Sequence, residues 1–505
     1  MSASSAEAAT EPHRSPAPPP RTRGLVTTLA FAGITAALMQ TLVTPLIATL
    51  PVIFDTSASN TAWIITATLL SAGVFVPVAG RLGDIVGKRP MLIACTVPLI
   101  IGSVLCALAP SLVVMIIGRA LQGMGMGMLP LGLAVLRDVL PREKLSPAIA
   151  LVSATMGVGG AIGLPLAAAV AEFASWRVLF WGAAALAVLV AALIIRFVPA
   201  TPAAARGQRF DVPGAIGLGA GLVAVLLAVS KGGEWGWTSA LTWGLIGGGV
   251  LLLVLWGWWE TRTRDPLVDL RTTARPRVLM TNIASIFVGF GMYASMLVIP
   301  QLLQYPTSTG YGLGQSMLQA GLWMAPAGIM MMVLSPFAGR LTDRRGPKTT
   351  LVIGTAIITL GYVISQPLLG TTWGLLVMSL VVNAGVAFAY GAMPTLIMSS
   401  VPVGETAAAN GFNTLMRSLG TTIGAAVVGV VLAESTIGSG SAALISEGGF
   451  RLALLTGGVI ALIAVVLAAL IPASRAEDDD AGGSRSGDGE EVVVPDGVRD
   501  APVAT

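Results

Sequence analysis

Charged residues are scarce in this chain of 505 amino acids, of which only 11% are Asp, Glu, Lys or Arg and 54% are hydrophobic. Soluble domains carry roughly a quarter charged residues, so this composition excludes an ordinary soluble globule. Cysteine and histidine are scarcer still, with two copies and one copy. Cys95 and Cys106 lie about 16 Å apart along one predicted helix, which is too far for them to bridge each other.

Catalytic and nucleotide-binding patterns are also missing. The sequence contains no nucleophile–base arrangement, no GxxxxGK(S/T) phosphate loop and no cysteine–histidine metal spacing. We therefore expect neither an enzyme nor a protein driven directly by ATP, and we expect no metal ion and no cofactor.

Long apolar runs fill most of the chain. Each has about the 20 residues that a helix needs to cross a bilayer, and none alternates as barrel strands do. We predict an all-α membrane protein with about fourteen spans, near residues 25–47, 62–82, 91–109, 112–136, 145–171, 177–198, 212–230, 239–258, 279–303, 316–339, 350–369, 372–398, 408–432 and 450–471. The first run follows Arg21 and Arg23 as a secretory signal would, but it lacks a small-residue cleavage site, so we interpret it as a retained helix.

Lys and Arg fall on alternate connections between the spans. They precede the first span and follow the second, fourth, sixth, eighth and tenth, whereas the other connections hold only Arg177, Lys231 and Arg451. By the positive-inside rule, we expect both termini in the cytoplasm, in a membrane of the bacterial inner (plasma) membrane type. This pattern also accounts for the net charge of +4, so no nucleic-acid partner is expected.

A ten-residue turn occurs twice, as GRLGDIVGKR at residues 80–89 and as GRLTDRRGPK at residues 339–348. The copies follow the second and tenth spans, so a duplicated six-span unit must carry two extra spans between its copies. Duplicated transporters bind substrate where their halves meet. We predict a disordered cytoplasmic N-terminal tail (1–24), a six-helix bundle (25–198), a linker with two inserted spans (199–278), a second six-helix bundle (279–471) and a disordered acidic tail (472–505).

The first copy of the turn fits the pattern G-x-L-(A/G)-D-x-x-G-(R/K)-(R/K), and here the chain resembles the major facilitator superfamily. The resemblance implies the fold of that family and a cytoplasmic gate formed by both turns. The residues that it assigns to the gate are Gly80, Asp84, Gly87, Lys88, Arg89, Gly339, Asp343 and Gly346. The alternative is that each turn is a basic loop that only sets the orientation of the spans in the membrane. The presence of two copies at matching positions disfavours this alternative.

Arg119 lies within the fourth predicted span. An arginine inside a membrane costs at least about 2.5–3.5 kcal/mol, so it should face protein or a water-filled cavity unless it snorkels to the interface. Residues 119–125 resemble the superfamily pattern R-x-x-Q-G-x-G, which implies a proton-coupling role for Arg119 together with Gln122.

Small residues recur along the fifth span, where Gly159, Gly163 and the kinking Pro165 suit close helix packing. The stretch also resembles the antiporter motif G-P-x-x-G-G, with its proline one position late. Close packing alone and antiport therefore remain alternative interpretations.

Three further stretches resemble the fourteen-span drug:proton antiporters of this superfamily, at Ser175–Phe180, Glu260–Leu270 and Asn413–Gly424. The resemblance extends over about residues 25–471 and implies export of drugs in exchange for protons. The chain departs from that family in the first span, where Gln40 or Leu42 stands in place of the usual acid. No carboxylate lies deep in a predicted span, so the residues themselves do not identify a proton carrier.

Polar and aromatic residues within the spans are candidates to line a cavity: Gln40, Thr44, Asn282, Tyr293, Gln301, Gln304, Trp323, Asn383, Tyr390 and Asn413. Each of them alone could instead serve helix–helix hydrogen bonding. Together they predict a large, weakly charged and partly aromatic cavity, suited to hydrophobic or mildly cationic organic molecules.

The leading hypothesis is a monomeric secondary transporter that exports lipophilic drugs or antibiotics by alternating access. Its partners would be a small lipophilic substrate, the lipid bilayer and, from the family resemblance, protons. One alternative is a facilitator or symporter of a specific metabolite or lipid, favoured by the missing acid of the first span. The other is a membrane receptor that keeps the fold without transport.

Overall fold

The computed structural model describes residues 22–43, 46, 50–56, 58–437 and 444–472, and these are almost entirely helical. The helices are α1 Thr22–Thr41, α2 Leu50–Ile53, α3 Ala58–Val86, α4 Lys88–Leu108, α5 Leu112–Met124, α6 Met128–Val139, α7 Arg142–Phe173, α8 Arg177–Phe197, α9 Val212–Trp235, α10 Ala240–Glu260, α11 Leu270–Thr273, α12 Pro276–Gln304, α13 Met317–Leu368, α14 Thr372–Met398, α15 Thr406–Glu434 and α16 Glu447–Ala469. Short 3-10 turns occur at Gly125–Gly127, Thr307–Thr309 and Val403–Glu405, and two antiparallel strands, β1 Thr436–Ile437 and β2 Leu444–Ile445, lie between α15 and α16. Thr44 and most of the two predicted tails lie outside the described residues.

Thirteen helical segments within the described residues are long and apolar enough to cross a membrane. One of them, α13, has 52 residues. At 1.5 Å per residue, such a helix is more than twice as long as the hydrocarbon core of a bilayer is thick. Gly346 interrupts it with φ 81° and ψ 157°, so the residues on either side of this glycine form two spans. The described residues therefore contain the fourteen spans that the hydrophobic runs predict.

Side-chain caps fix where several of the helices begin. Asp211, Ser239 and Thr371 each accept a hydrogen bond from the backbone N–H three residues later. Ser316 forms a reciprocal capping box with Gln319. Such caps satisfy N–H groups that the first turn of a helix leaves unpaired, so single polar residues beside apolar runs set these helix starts.

Glycines bring corresponding helices together in both copies of the duplicated unit. Gly102 of α4 faces Gly118 of α5, and Gly354 of α13 faces Gly385 of α14. A Cβ atom on Gly118 would lie 2.8 Å from Gly102 O, and one on Gly354 would lie 2.8 Å from Gly385 O. Small residues at such contacts let helix backbones approach closely inside a membrane. The recurrence of this contact agrees with the duplication inferred from the two turns.

The buried apolar side chains form separate clusters. One lies mainly among α1 to α8, a second lies mainly among α12 to α16, and a smaller one connects α9 and α10 with Leu267, Val268 and Leu415. Large apolar side chains such as Leu251 and Val254 of α10 are exposed at the periphery, where lipid would cover them. The predicted domain boundaries remain a prediction.

Candidate functional site

The two repeated turns lie at the same end of the molecule, which we call the turn end. Gly80 contacts Ala407 at the start of α15, and Gly339 contacts Pro147 near the start of α7. Arg137, at the end of α6, connects this region to α15 by donating to Thr406 Oγ1 at 2.5 Å. Helices from the two copies of the duplicated unit therefore pack together at the turn end.

A cavity of about 360 Å³ lies away from the turn end, between α1, α7, α12, α13 and α14. Its position follows from the order of the lining residues along these helices. On α13 they are residues 317–328, far from Gly339, and on α7 they are residues 156–164, beyond Pro147. Six residues predicted from the sequence are among its walls: Gln40, Tyr293, Gln301, Gln304, Asn383 and Tyr390.

The polar groups of the cavity are held mainly by their own helices. Gln301 Nε2 donates to Leu297 O at 3.1 Å, and Asn383 Nδ2 donates to Ser379 O at 3.0 Å. Tyr390 donates its hydroxyl to Met292 Sδ at 3.0 Å. These bonds fix the amide nitrogens, so the amide oxygens of Gln301 and Asn383 are the groups that can accept a hydrogen bond from a ligand.

Three residues predicted for the cavity lie elsewhere. Asn413 Nδ2 donates to Asn282 Oδ1 at 2.9 Å and to Ser285 Oγ at 2.8 Å, which ties α15 to α12 outside the cavity wall. Trp323 donates to Gln315 Oε1 at 3.3 Å and stacks edge-on against Trp373. The asparagines satisfy each other's hydrogen bonds, and Trp323 packs against a neighbouring indole, so none of the three borders the cavity.

The cavity wall is uncharged. Of the described residues that line it, none is Asp, Glu, Lys, Arg or His. Five methionines contribute to it: Met156, Met292, Met296, Met317 and Met324. Methionine side chains are flexible and polarizable, so such a wall can adapt to apolar ligands of different shapes.

The first repeated turn forms a polar contact between α3 and α15. The carboxylate of Asp84, 0% exposed, accepts hydrogen bonds from Ala407 N at 3.0 Å and from Ala408 N at 2.9 Å. These N–H groups belong to the first turn of α15, where they have no partner within the helix and carry partial positive charge. Lys88 lies 4.0 Å from Asp84 and 2.5 Å from Asp138. We call the contact of Asp84 with Ala407 and Ala408 the latch.

The rest of the first turn is also well anchored. Gly87 takes φ 116°, a left-handed conformation that favours glycine and allows the chain to turn directly from α3 into α4. Arg89 donates to Ile195 O at 2.7 Å, at the end of α8. A Cβ atom on Gly80 would lie 2.5 Å from Ala407 O, so only glycine permits this approach of α3 to α15.

The second repeated turn shares the backbone of the first but lacks its latch. Gly346 takes φ 81°, and a Cβ atom on Gly339 would lie 2.7 Å from Pro147 N. Asp343, however, is exposed, and it makes no ion pair or hydrogen bond within the described residues. The structure therefore places the eight predicted gate residues at one end of the molecule, but only Asp84, and not Asp343, forms hydrogen bonds with another helix.

Arg119 lies outside the cavity wall, fully buried among the first spans. It donates to Met39 O at 2.6 Å and to Gln122 Oε1 at 2.7 Å, and Gln122 donates in turn to Ser103 Oγ at 2.8 Å. Met39 lies in the last turn of α1, where carbonyl groups lack helical partners and carry partial negative charge. Arg119 thus caps the end of α1, and its predicted role in proton coupling stays a prediction.

The fifth span, α7, packs against both neighbouring helix groups. Gly159 and Gly163 contact α1, and a Cβ atom on Gly159 would lie 2.6 Å from Ile34 O. Pro165 contacts α13, where a Cβ atom on Gly321 would lie 2.9 Å from Pro165 Cα. These small residues form close helix contacts, which is the packing interpretation of the motif.

A family profile described as Major Facilitator Superfamily matches residues 29–425, well over half of the chain. The chain belongs to the major facilitator superfamily. It is 24% identical over 410 residues to the uncharacterized MFS-type transporter YhcA of Bacillus subtilis, a match that covers 80% of this chain and 76% of that protein. It is 28% identical over 384 residues to the multidrug resistance protein Stp of Mycobacterium tuberculosis, covering 75% and 70% of the two proteins.

Among solved structures, the human organic anion transporter MFSD10 (TETRAN) matches with a TM-score of 0.61, over 89% of this chain and 100% of that one. At 15% identity, this likeness concerns the fold alone. The predicted fold class is confirmed: the protein is a multi-pass membrane transporter with the major facilitator fold.

This major facilitator contains two buried carboxyl groups that sequence reasoning did not single out. Glu260 at the end of α10 is 2% exposed, and Asp211 before α9 is 7% exposed. A Cβ atom on Gly214 would touch both carboxylates, so they are close neighbours. Trp259 donates to Asp211 at 3.1 Å, whereas the donors nearest to Glu260, the N–H groups of Leu267, Val268 and Trp256, form no hydrogen bond of ordinary geometry with it. The sequence did carry a signal for this pair, because Asp211 directly precedes the first inserted span and Glu260 ends the second.

A smaller cavity of about 100 Å³ lies beside the latch of this transporter. Arg81, Asp269 and Glu405 line it, together with Leu267 and Val268 of the segment that follows α10. Arg81 is 4% exposed, and its Nε has no hydrogen-bond partner among the described residues. The segment after Glu260 therefore connects the inserted helix pair to the region of the latch.

Proposed function

We propose that this transporter exports lipophilic small molecules across a bacterial-type inner membrane by alternating access, as a monomer with its turn end in the cytoplasm. The observation that carries the proposal is the cavity, which is about 360 Å³ in volume, uncharged and rich in methionine. A site of this size and composition suits apolar organic molecules better than sugars or phosphates. The multidrug resistance protein Stp, a relative at 28% identity, supports the same substrate class.

The orientation rests on the distribution of Lys and Arg among the connections. With the turn end in the cytoplasm, the structure corresponds to a state that is closed on the cytoplasmic side by the latch and by Arg137. Loading from the cytoplasm then requires the latch to break, and release requires it to form again. The two repeats would rock about the cavity between these states.

The proposal is tested by filling the cavity. Gly160 lines it, and a Cβ atom at this position would meet no atom within 4 Å. We expect Gly160→Trp to place its indole in the cavity without disturbing the helix contacts, and to abolish efflux of a lipophilic fluorescent dye from proteoliposomes. Gly182→Trp is the matched control, because Gly182 is exposed on α8 and a Cβ atom there would likewise meet no atom within 4 Å. Equal transport by the two variants would show that this cavity is not the substrate site.

Proton antiport is the finer part of the proposal. Among the described residues, the buried carboxyl groups available to it are Asp84, Asp211 and Glu260, none of which lies on the cavity wall. Glu260 is the best candidate of the three, since it alone lacks a hydrogen-bond partner of ordinary geometry. Dye efflux should accelerate under an imposed pH gradient, and Glu260→Gln should reduce that acceleration. If the rate of efflux does not depend on the pH gradient, the proposal of proton coupling is wrong, whereas the proposal of export stands.

A facilitator or symporter is the second candidate, and the uncharged cavity favours it. With no carboxylate among the described lining residues, protonation within the cavity cannot release a bound substrate directly. Downhill substrate efflux moves no protons through a facilitator, moves them in the same direction through a symporter and moves them in the opposite direction through an antiporter. The luminal pH of proteoliposomes, recorded during efflux from equal starting pH, distinguishes the three.

A further inference from the structure

The side chain of Arg417, in α15, is buried without a carboxylate partner. It is 6% exposed, and none of the ion pairs among the described residues includes it. Its Cζ lies 4.4 Å from the centre of the Tyr390 ring, and its Nη2 lies 3.9 Å from Met156 Sδ. An aromatic face and a thioether are weak partners for a guanidinium, which has five N–H donors.

Arg119 shows what a satisfied buried arginine looks like in the same protein. It lies against the end of a helix and donates to Met39 O and to Gln122 Oε1, both within 2.7 Å. Arg417 has no such oxygen: its single hydrogen bond among the described residues goes to sulfur. Since a buried charge is stable only when it is paired or well hydrogen-bonded, Arg417 retains binding capacity that Arg119 has already used.

Arg417 borders a small space between α6, α7, α14 and α15, with mainly apolar walls and room for about one water molecule. Ser153 Oγ and Asn410 Oδ1 are also at this space, and neither has a hydrogen-bond partner within the described residues. Arg417 therefore shares this space with two polar atoms, Ser153 Oγ and Asn410 Oδ1, that also have spare hydrogen-bonding capacity.

This small space adjoins the large cavity. Tyr390 and Met156 line both of them and also contact the guanidinium, so these two side chains lie between Arg417 and a substrate in the large cavity. No acidic residue lies on the described cavity wall to balance this charge. In a low-dielectric site, one unpaired cation strongly favours an anion and disfavours another cation.

We propose that Arg417 is an anion-recognition group at the edge of the substrate cavity, and that the preferred cargo is an amphiphile with an apolar body and a single carboxylate. The body contacts the methionine-rich wall. The acid displaces the Met156 sulfur and accepts from Arg417, next to Tyr390. This inference rests on the proposed function and narrows its substrate class from lipophilic molecules in general to acidic ones.

A matched set of three fluorescent probes tests the proposal. The probes are 11-(dansylamino)undecanoic acid, its carboxamide, and the corresponding alkylammonium, which differ only at the polar end. Their binding to the full-length protein in nanodiscs is measured against Gly160→Trp nanodiscs, so that binding to lipid is subtracted. We expect the carboxylate to bind at least about tenfold more tightly than the ammonium, the factor that one charge-assisted hydrogen bond supplies.

Variants then assign the preference to Arg417. Arg417→Gln should remove the preference for the carboxylate and leave carboxamide affinity within about twofold, whereas Arg417→Lys should keep part of it. Arg142→Gln is the matched control, because Arg142 is an exposed cation at the start of α7. This variant should bind the three probes as the unmutated protein does. If Arg417→Gln does not fold, the ranking of the three probes still tests the substrate class, and Arg417→Lys tests the role of Arg417.

Two results would overturn the inference while sparing the proposed function: ammonium binding that equals carboxylate binding, or a carboxylate preference that persists in folded Arg417→Gln. If none of the three probes binds above the Gly160→Trp background, both the inference and the proposed function are wrong.

Discussion

The two repeated turns share five of their ten residues and a similar backbone but have different roles in closing the molecule. Both carry a left-handed glycine, Gly87 or Gly346, and both press a glycine against a helix of the other repeat. Yet Asp84 is fully buried against the start of α15, whereas Asp343 is exposed. A sequence motif therefore specifies a tight turn in both places and a polar latch in only one.

The difference arises from the helices that the turns contact. Gly80 meets α15 at Ala407, the second residue of that helix, where backbone N–H groups are free to bind a carboxylate. Gly339 meets α7 at Pro147, five residues beyond its first residue, Arg142. N–H groups at that depth already bond within the helix, and proline has none to offer. Asp343 consequently has no donor to latch onto.

The largest expected effect comes from neutralising the two aspartates in turn. Asp84→Asn keeps an acceptor oxygen but removes the negative charge, which weakens two charge-assisted hydrogen bonds and a favourable helix-dipole interaction by about 2 kcal/mol in total. We expect at least a tenfold loss of transport in proteoliposomes, and about twofold or less for Asp343→Asn.

The change in conformation can be measured separately from transport. Spin labels on cysteines at Arg142 and Val403, both exposed at the turn end, should move apart in Asp84→Asn and stay in place in Asp343→Asn. The native Cys95 and Cys106 are buried and should not react. Equal effects of the two substitutions would contradict the asymmetry between the turns.

Substitution of the lysine in the first turn should also reduce transport more than substitution of the lysine in the second. The difference should be smaller than the one expected for the two aspartates. Lys88 is 2% exposed and lies 2.5 Å from Asp138 and 4.0 Å from Asp84, so Lys88→Met removes the cation that pairs with both carboxylates. Because Asp138 retains some contact with solvent, we expect a cost of about 1–2 kcal/mol and a several-fold loss of transport. Lys348→Met should change transport by less than about twofold, and a loss as large as that of Lys88→Met would argue that the second turn is also latched.

The left-handed glycines of the two turns, unlike the aspartates, should lose similar amounts of stability when they are substituted. Alanine at a left-handed position costs about 1 kcal/mol, so Gly87→Ala and Gly346→Ala should lower the melting temperature by similar amounts. Thermal unfolding of the purified protein, followed by tryptophan fluorescence, provides the measurement. A clearly larger shift at Gly87 would mean that the first turn depends on its tight geometry more than the second.

The smallest effect is expected at the exposed cations of the second turn. Arg344 and Arg345 are both exposed, and substitution of each by Gln should change stability by less than about 0.5 kcal/mol and leave transport within about twofold. Melting temperature and dye efflux of the double variant test this. A strong effect on transport would give these cations a role in gating that their exposure does not suggest.

The sequence predicted the spans well because hydrophobicity and length are local properties. The positive φ at Gly87 and at Gly346 is a conformation that glycine adopts readily, so both turns use a glycine between two apolar runs to reverse the chain. The cavity was predicted in part: Tyr293 and Asn383 line it, whereas Asn282 and Asn413 bind each other. Alone, an asparagine in an apolar span does not show whether it faces a ligand or a neighbouring helix.

The sequence by itself determined a helical membrane protein with two similar turns. Apolar runs specify the spans and the glycines of each turn specify the turn, and both effects are local along the chain. The tertiary structure alone decided which charges are satisfied. It joined Asp84 to the start of α15, gave Arg119 the Met39 oxygen at the end of α1, and left Arg417 beside Tyr390 without an anion. Each of these partners lies dozens to hundreds of residues away along the chain, so the balance of a buried charge depends on which helices meet.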